Sequence, residues 1–422
     1  MRKKWLQHII ITNHAMQFFY SLFIHSYVFL IKFAAHFSKK AKLWNKGRKN
    51  VFDFLEEKCA GKENIIWFHC ASLGEFEQGK PLMEKIKQQE NVTLLVTFFS
   101  PSGFEIKKDD PTADIVAYLP ADTPKNADKF ISIVKPQKVF FVKYEFWFNY
   151  MRELAKKNIQ FYYVSAIFRE NQYFFKSYGK WFLKQLKKCS YLFVQNENSK
   201  ILLNKHGILN VMVTGDTRFD RVYAIAHQSY TLDFIVEFKK DKKLLVVGST
   251  WLPDEKQLSI LYQKINSNYK LVIAPHLIEK NHITYIKKIF SAFSVVCFSE
   301  IETKRISDYQ ILIIDTIGIL SKIYKYADIS YIGGAFKTGL HNILEAAVFE
   351  KPLFFGPRFQ KFNEAVELVK AGGAFSIKNA EEMAEKMLNF EEDQASYQEI
   401  ALICKNYVAQ NLGTTDKIMS EL

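Results

Sequence analysis

The chain has 422 residues, 48% hydrophobic and 24% charged, which fits a globular protein of two or three domains with sizeable cores. Its net charge of +14 asks for anionic partners: a membrane surface, a phosphorylated substrate or, last, nucleic acid, since the basic residues are dispersed with no zinc-finger or RNP-type signature. The five cysteines (Cys59, Cys70, Cys189, Cys297, Cys404) form no CxxC and the histidines do not cluster, so reduced cytosolic thiols are expected, with no disulfide framework, metal site or cofactor.

The N-terminus stands apart. Arg2-Lys3-Lys4 precede a stretch over residues 7–31 with no Lys, Arg, Asp or Glu, interrupted by His8, Asn13, His14, Gln17 and His25. The run is long enough for a bilayer, which needs about 20 residues. Its polar breaks suit equally a helix lying in the interface, and an ordinary buried helix is the plain alternative. No small-residue cleavage site follows, so a cleaved signal peptide fits poorly. In both membrane readings the lysines at 39–49 face anionic headgroups and the main body is cytoplasmic.

Strand-like and helix-like runs then alternate. Strands are expected over residues 65–69, 93–98, 116–119, 138–142, 160–164, 191–194 and 210–214, with helices over 79–88, 125–133, 150–157, 174–187 and 199–205. A second series of strands covers 243–248, 270–274, 295–297, 310–313, 329–332 and 352–355, and a last long helix covers 397–422. Alternation of this kind means βαβ units on a parallel sheet. The chain is therefore an α/β protein with two Rossmann-like parallel-sheet domains facing a cleft. The expected divisions are a membrane anchor or interfacial helix at 1–40, a first domain at 41–225, a hinge at 226–242, a second domain at 243–405, and a terminal helix at 406–422 that crosses back to the first domain.

Chemistry in such folds collects where strands end and helices begin. After the first strand, Ala71-Ser72-Leu73-Gly74-Glu75 sets a carboxylate at a helix mouth. Glu75 is a candidate general base, or simply an acid favoured in a first helical turn. Lys143 and Glu145 close another strand, either aimed at a ligand or paired with each other. Arg218, before the hinge, suits phosphate or carboxylate. In the second half, Ser249 and Thr250 follow a strand and either cradle a phosphate or cap a helix. Pro275-His276, residues 315–318 and the glycine-rich segment 331–345 follow three more strands. In the last of these, Asn342 and Glu345 share a helical face. Four polar strand-end loops on one edge point to a nucleotide-linked ligand. The absence of GxxxxGK[ST] and GxGxxG argues against P-loop phosphoryl transfer and hydride transfer.

The stretches WFHCASLGEFEQGKPL, YLPADTP, FVKYEFWFN, VQNENSKILL, VTGDTRFD, IIDTIGILSKIYKYADISYIGG and GLHNILEAAVF, with KPLFFGP after it, run in this order from Trp67 to Pro357. With Trp44, Gly47 and Arg48 upstream, the chain resembles the bacterial 3-deoxy-D-manno-octulosonic acid (Kdo) transferases of lipopolysaccharide assembly. The resemblance implies a GT-B fold and a metal-independent, inverting glycosyltransferase at the cytoplasmic face of the inner membrane. It implies CMP-Kdo as donor and a lipid A precursor, the tetraacyldisaccharide 1,4′-bisphosphate, as acceptor. By the same resemblance Glu75 is the proton acceptor, Lys143 and Arg218 stabilise the transition state, and Pro275, His276, Ile317, Gly318, Ile319, Asn342, Ile343, Leu344 and Glu345 bind CMP. Lys143 stands where many members have an acid, Arg218 where many have Lys, Pro275-His276-Leu277 for Pro-Arg-His, and Gly318-Ile319-Leu320 for Gly-Glu-Leu. The alternatives are a GT-B transferase of lipid A assembly that uses a UDP-sugar, and a nucleotide-binding scaffold without turnover.

Overall fold

A computed structural model describes residues 2–422 apart from Thr338, with side chains from Ala15 onward. Met1, the side chains of residues 2–14 of the expected anchor, and Thr338 of the glycine-rich segment lie outside the described residues. The chain forms two compact units. One runs to Arg221 and takes in Gly413–Leu422; the other is Val222–Leu412.

The first unit opens with helices α1 (Arg2–Ala34), α2 (Lys39–Arg48) and α3 (Val51–Cys59). Its sheet comprises β1 (Ile65–Cys70), β2 (Thr93–Phe98), β3 (Ile115–Tyr118), β4 (Lys138–Val142), β5 (Gln160–Ala166), β6 (Tyr191–Val194) and β7 (Val211–Val213). Their spatial order is β3-β2-β1-β4-β5-β6-β7, with parallel ladders throughout. All six residues of β1 are buried, as expected of a strand covered on both faces. Trp67 belongs to one core and Phe68 to the core on the opposite face, the period of two of a strand. On that second face Phe68, Phe140, Tyr162 and Phe193 stack from strand to strand, with centroids 4.7, 5.1 and 6.2 Å apart. Such pairs add about 0.5–1.5 kcal/mol each beyond area burial.

The second unit holds β8 (Lys243–Thr250), β9 (Tyr269–Pro275), β10 (Val295–Cys297), β11 (Ile311–Ile313), β12 (Ile329–Ile332), β13 (Leu353–Phe355) and β14 (Ala374–Ser376), in the order β10-β11-β9-β8-β12-β13-β14. These ladders are also parallel. The architecture is an α/β, GT-B-type pair of Rossmann-like units.

Several local expectations are corrected. The helix expected over 174–187 is two short 3-10 turns followed by a helix at Lys180–Leu186, because Lys176 between the turns is extended (φ −85°, ψ 160°). Residues 226–242, expected as the hinge, contain the helix Asp233–Lys239, whose Ile235 and Phe238 are fully buried, and they belong to the second unit. The segment 397–422 is two helices, Gln394–Gln410 and Thr414–Met419, parted at Gly413, which takes the left-handed conformation (φ +84°) that glycine tolerates. The anchor segment is not one unit to residue 40, since α1 ends at Ala34 and Ser38 caps α2. Strand β14 carried no strand signal in the sequence; it is a three-residue edge strand.

Candidate functional site

The chain order reverses between β1 and β4 in the first sheet and between β8 and β12 in the second, where β10 and β11 are also exchanged at the far edge. A parallel sheet opens a crevice at its carboxyl edge at such a reversal. Glu75, Lys143 and the glycine-rich segment follow these strands and Ser249 sits at the end of β8, while Arg218 follows β7, His276 follows β9 and residues 317–319 follow β11.

In the first unit β1 ends at Cys70 and helix α4 (Leu73–Gln89) begins after the N-cap Ser72. The helix starts six residues before the expected Gly79, so Glu75 lies within its first turn. Both readings of Glu75 meet in one geometry. The Ser72 backbone N–H and hydroxyl donate to Glu75 Oε2 at 2.9 and 3.3 Å. Burial, then the nearby Glu145 carboxylate, push the Glu75 carboxyl up to about 7, against the pull of Ser72 and Lys143. A carboxylate poised near neutrality has the proton affinity a general base needs.

Glu145 follows β4 and is held in place. Its Oε2 accepts from Trp147 Nε1 at 2.8 Å and lies 3.2 Å from Nε2 of the fully buried His69. Nδ1 of His69 is 2.9 Å from Thr97 Oγ1, which also accepts from Trp67 Nε1 at 2.7 Å. Lys143, just past β4, has φ +68°, a left-handed conformation uncommon outside glycine. Its charge acts on both Glu75 and Asp216.

Arg218 follows β7, three strands from β4, yet the loop folds back to α4. Gln78, one turn beyond Glu75, donates to Asp216 Oδ1 at 2.7 Å, and the Thr217 hydroxyl donates to the Gln78 carbonyl. Asp216 in turn fixes the guanidinium: Arg218 Nε and Nη2 reach its Oδ2 at 2.9 and 2.8 Å. Burial would raise the Asp216 carboxyl, but Arg218 and Lys143 outweigh it and hold it low. One carboxyl near neutrality and two cations thus meet around the start of α4.

In the second unit the four strands β11, β9, β8 and β12 are consecutive neighbours, so the loops after them share one edge. Asp254 joins two of these loops. Its Oδ2 accepts from the N–H groups of Trp251 and Gly334 at 2.9 and 3.0 Å, and its Oδ1 accepts from Tyr331 Oη at 2.7 Å. The approach is close enough that a Cβ on Gly333 would lie 2.5 Å from the Ser249 carbonyl. Pro275 ends β9, and His276 beyond it does not cap the next helix, which starts at Lys280 after Glu279. It stacks instead on Trp251 and His341, with both centroid distances 4.6 Å, and Trp251 Nε1 donates to His341 Nε2 at 3.1 Å. Burial lowers the His276 pKa, and burial with His276 brings His341 down to about 4, so both imidazoles are neutral at pH 7.

Thr250 is fully buried and its hydroxyl donates to Glu255, which leaves Ser249 (φ +56°) as the residue at the edge; neither caps the following helix, whose N-cap is Trp251. Ile317 is exposed, Gly318 has φ +100° with open space around it, and Ile319 leads into the helix Leu320–Ile323. Asn342 precedes the helix Leu344–Ala347, with Ile343 as its N-cap, so Asn342 and Glu345 do not share one helical face as expected. They meet through a hydrogen bond from Asn342 Nδ2 to Glu345 Oε1 at 3.0 Å. The residues that sequence reading passed over are His69, Gln78, Asp216, Trp251, Asp254 and His341. Asp216 carried a signal, an acid two residues before Arg218; the others act through contacts across strands.

The fold is shared with solved sugar-nucleotide enzymes. The UDP-GlcNAc 2-epimerase of Neisseria meningitidis aligns over 85% of this chain and 98% of its own, with TM-score 0.59 and 16% identity. A UDP-N-acetylglucosamine 2-epimerase of Listeria monocytogenes gives TM-score 0.59 and 13% identity over 85% of this chain and 95% of its own. These likenesses define the class, a two-unit GT-B-type α/β protein. Sequence is more specific: residues 45–221 match the family model for 3-deoxy-D-manno-octulosonic-acid transferase. A 3-deoxy-D-manno-octulosonic acid transferase of Rickettsia bellii is 29% identical over 87% of this chain and 88% of its own length, and one of Aquifex aeolicus 26% identical over 79% and 88%. A bifunctional glycosyltransferase/methyltransferase of Fusobacterium nucleatum is 26% identical over 80% of this chain, which spans about half (54%) of that relative's length. Over residues 45–221 the chain is similar to the Kdo transferase family's domain, and over most of its length to curated Kdo transferases.

Proposed function

We propose that the protein is a glycosyltransferase that moves Kdo from CMP-Kdo to the primary hydroxyl of a lipid A precursor, the tetraacyldisaccharide 1,4′-bisphosphate, at the cytoplasmic face of the inner membrane. The observation that carries the reading is Glu75, held by Ser72 at the sheet's reversal point with its carboxyl raised to about 7.

The acceptor hydroxyl is a weak nucleophile at neutral pH. Glu75 takes its proton as the oxygen attacks the anomeric carbon, a contribution of about 10²–10⁴ in rate. The new bond forms on the face opposite the departing phosphate, which inverts the centre, and the transition state has oxocarbenium character. CMP leaves as an anion. Arg218, fixed by Asp216, and Lys143 meet negative charge on the leaving phosphate and the Kdo carboxylate. His276 is neutral, so it contributes a hydrogen bond and ring contact in place of the family's arginine charge. The loops carrying Ser249, residues 317–319 and residues 342–345 hold the nucleotide by backbone groups and the Asn342–Glu345 pair. The protein cations fill the electrostatic role of a metal, so a chelator leaves the rate unchanged.

The test is transfer of labelled Kdo from CMP-Kdo to the lipid acceptor by the purified chain and by Glu75→Ala, with CMP and UDP compared in a thermal-shift assay. The expected result is loss of at least 99% of transfer in the variant, with CMP protection retained. Protection by UDP and not by CMP, or a variant that keeps more than a few per cent of the rate, overturns the reading.

A further inference from the structure

The helix α1 is long and apolar enough to cross a membrane over Ala15–Ala34, yet it is committed to the body of its own unit. At its middle, Tyr20 donates a hydrogen bond to the buried Asp122 at 2.5 Å and packs on Phe148, Trp181 and Phe182, with centroids 5.2, 5.9 and 6.4 Å away. Asp122 is itself tied down by the backbone N–H groups of Asn149 and Tyr150. One turn on, Ile24 is buried; further on, Tyr27 stacks on Phe99, which also receives the Arg48 guanidinium at its carbonyl. The docked residues recur at intervals of three and four, the signature of one helical face.

The other face is unpartnered and apolar. Phe18, Phe19, Phe23, Phe29, Leu30 and Phe33 are each 59–69% exposed. At 100° per residue they fall within an arc of about 140°, whose centre lies about 140° round the helix from the docked stripe. Residues 1–52 contain no Asp or Glu, and Lys32, Lys39, Lys40, Lys42, Lys46 and Lys49 follow on α1, on α2 and just beyond it.

We propose that the first unit lies flat on an anionic lipid bilayer, with α1 in the plane of the interface and its aromatic face inserted, and does not hang from a membrane-crossing helix. The residues that would have to cross are the ones that grip the body. An amphipathic helix with aromatic residues on one side and lysines beside it matches the interface in apolar depth and in charge. The inference rests on the docking of α1 and is independent of the sugar donor.

The experiment uses the full chain with an N-terminal epitope tag, in vesicles of phosphatidylglycerol and phosphatidylethanolamine against phosphatidylcholine alone. Flotation with the anionic vesicles is expected, at least tenfold weaker for the triple variant Phe19→Ser, Phe23→Ser, Leu30→Ser. The thermal midpoint of that variant is expected to be unchanged, because the three side chains touch solvent. In membrane vesicles with the cytoplasmic side outward, protease should remove the tag, and alkaline carbonate should extract the protein. A protected tag, a chain that resists extraction, equal flotation on neutral vesicles or of the triple variant, or a lipid-free dimer that the triple variant abolishes would each overturn the proposal.

Discussion

Glu75 is governed by two neighbours of opposite effect, and that balance is measurable. A carboxyl raised to about 7 is protonated below that pH and works as a base only above it, so kcat/KM should rise between pH 6 and 8. Glu145→Gln removes the negative charge that raises the Glu75 pKa. The acid limb of the profile should then shift to lower pH by half a unit or more, while burial still keeps it above the ordinary carboxylate range. An unmoved limb would show that Glu145 does not tune the base. Stability carries the matching sign. A carboxyl raised on folding favours the native state while protonated, and this contribution declines as pH climbs from the ordinary Glu value through about 7.

Lys143 adds a second residue-scale case. Its φ of +68° places a side chain where glycine is preferred, at a cost of roughly 1–2 kcal/mol. Lys143→Gly should leave the melting temperature unchanged or raise it while transfer falls at least tenfold. A variant that melts several degrees lower would mean that the side chain supports the fold more than the site.

At the scale of elements, the edge of the second sheet depends on Asp254. Its three accepted bonds join the loop after β8 to the glycine-rich loop after β12. Asp254→Asn replaces the acceptor facing Tyr331 Oη by an NH2 group, so the tyrosine hydroxyl proton loses its partner. Leaving such groups unsatisfied costs about 1–3 kcal/mol. Calorimetric titration with CMP should show weakening of about fivefold or more, and unchanged affinity would separate this edge from the nucleotide. The strands of both units, apart from β14, and several helices of the first were legible because buried parallel strands read as short apolar runs and amphipathic segments fall between them. The helix at 397–422 was misread because its apolar positions continue past Gly413, where only the backbone conformation breaks it. The helix run read from Gly79 begins six residues earlier, where the Ser72-x-x-Glu75 spacing forms a reciprocal cap that puts Glu75 in the first turn.

At the scale of the whole molecule, the chain returns to its first unit through residues 413–422. Asp220 receives the N–H groups of Gly413 and Thr415 at 2.8 and 2.7 Å and the Thr415 hydroxyl at 2.6 Å, and Ile418 is fully buried in the core over α4 and β1. Asp220→Ala strands these donors and should destabilise the protein by about 2–3 kcal/mol in urea unfolding. A change below 0.5 kcal/mol would mean that the terminal segment does not support the unit.

By itself the sequence determined the class of fold, because the alternation of apolar runs and amphipathic segments is a local pattern set by chain geometry. It also determined which strand ends carry polar and charged groups, and the resemblance to the Kdo transferases. Only the tertiary structure decided where those groups sit and what surrounds them. The raised pKa of Glu75 needs burial and Glu145 from another strand; the placement of Arg218 needs Asp216 and the bond from Gln78 on α4; the neutrality of His276 needs its buried position beside Trp251 and His341. Each depends on residues distant in sequence and near in space, and such proximity is a property of packing that no local pattern encodes.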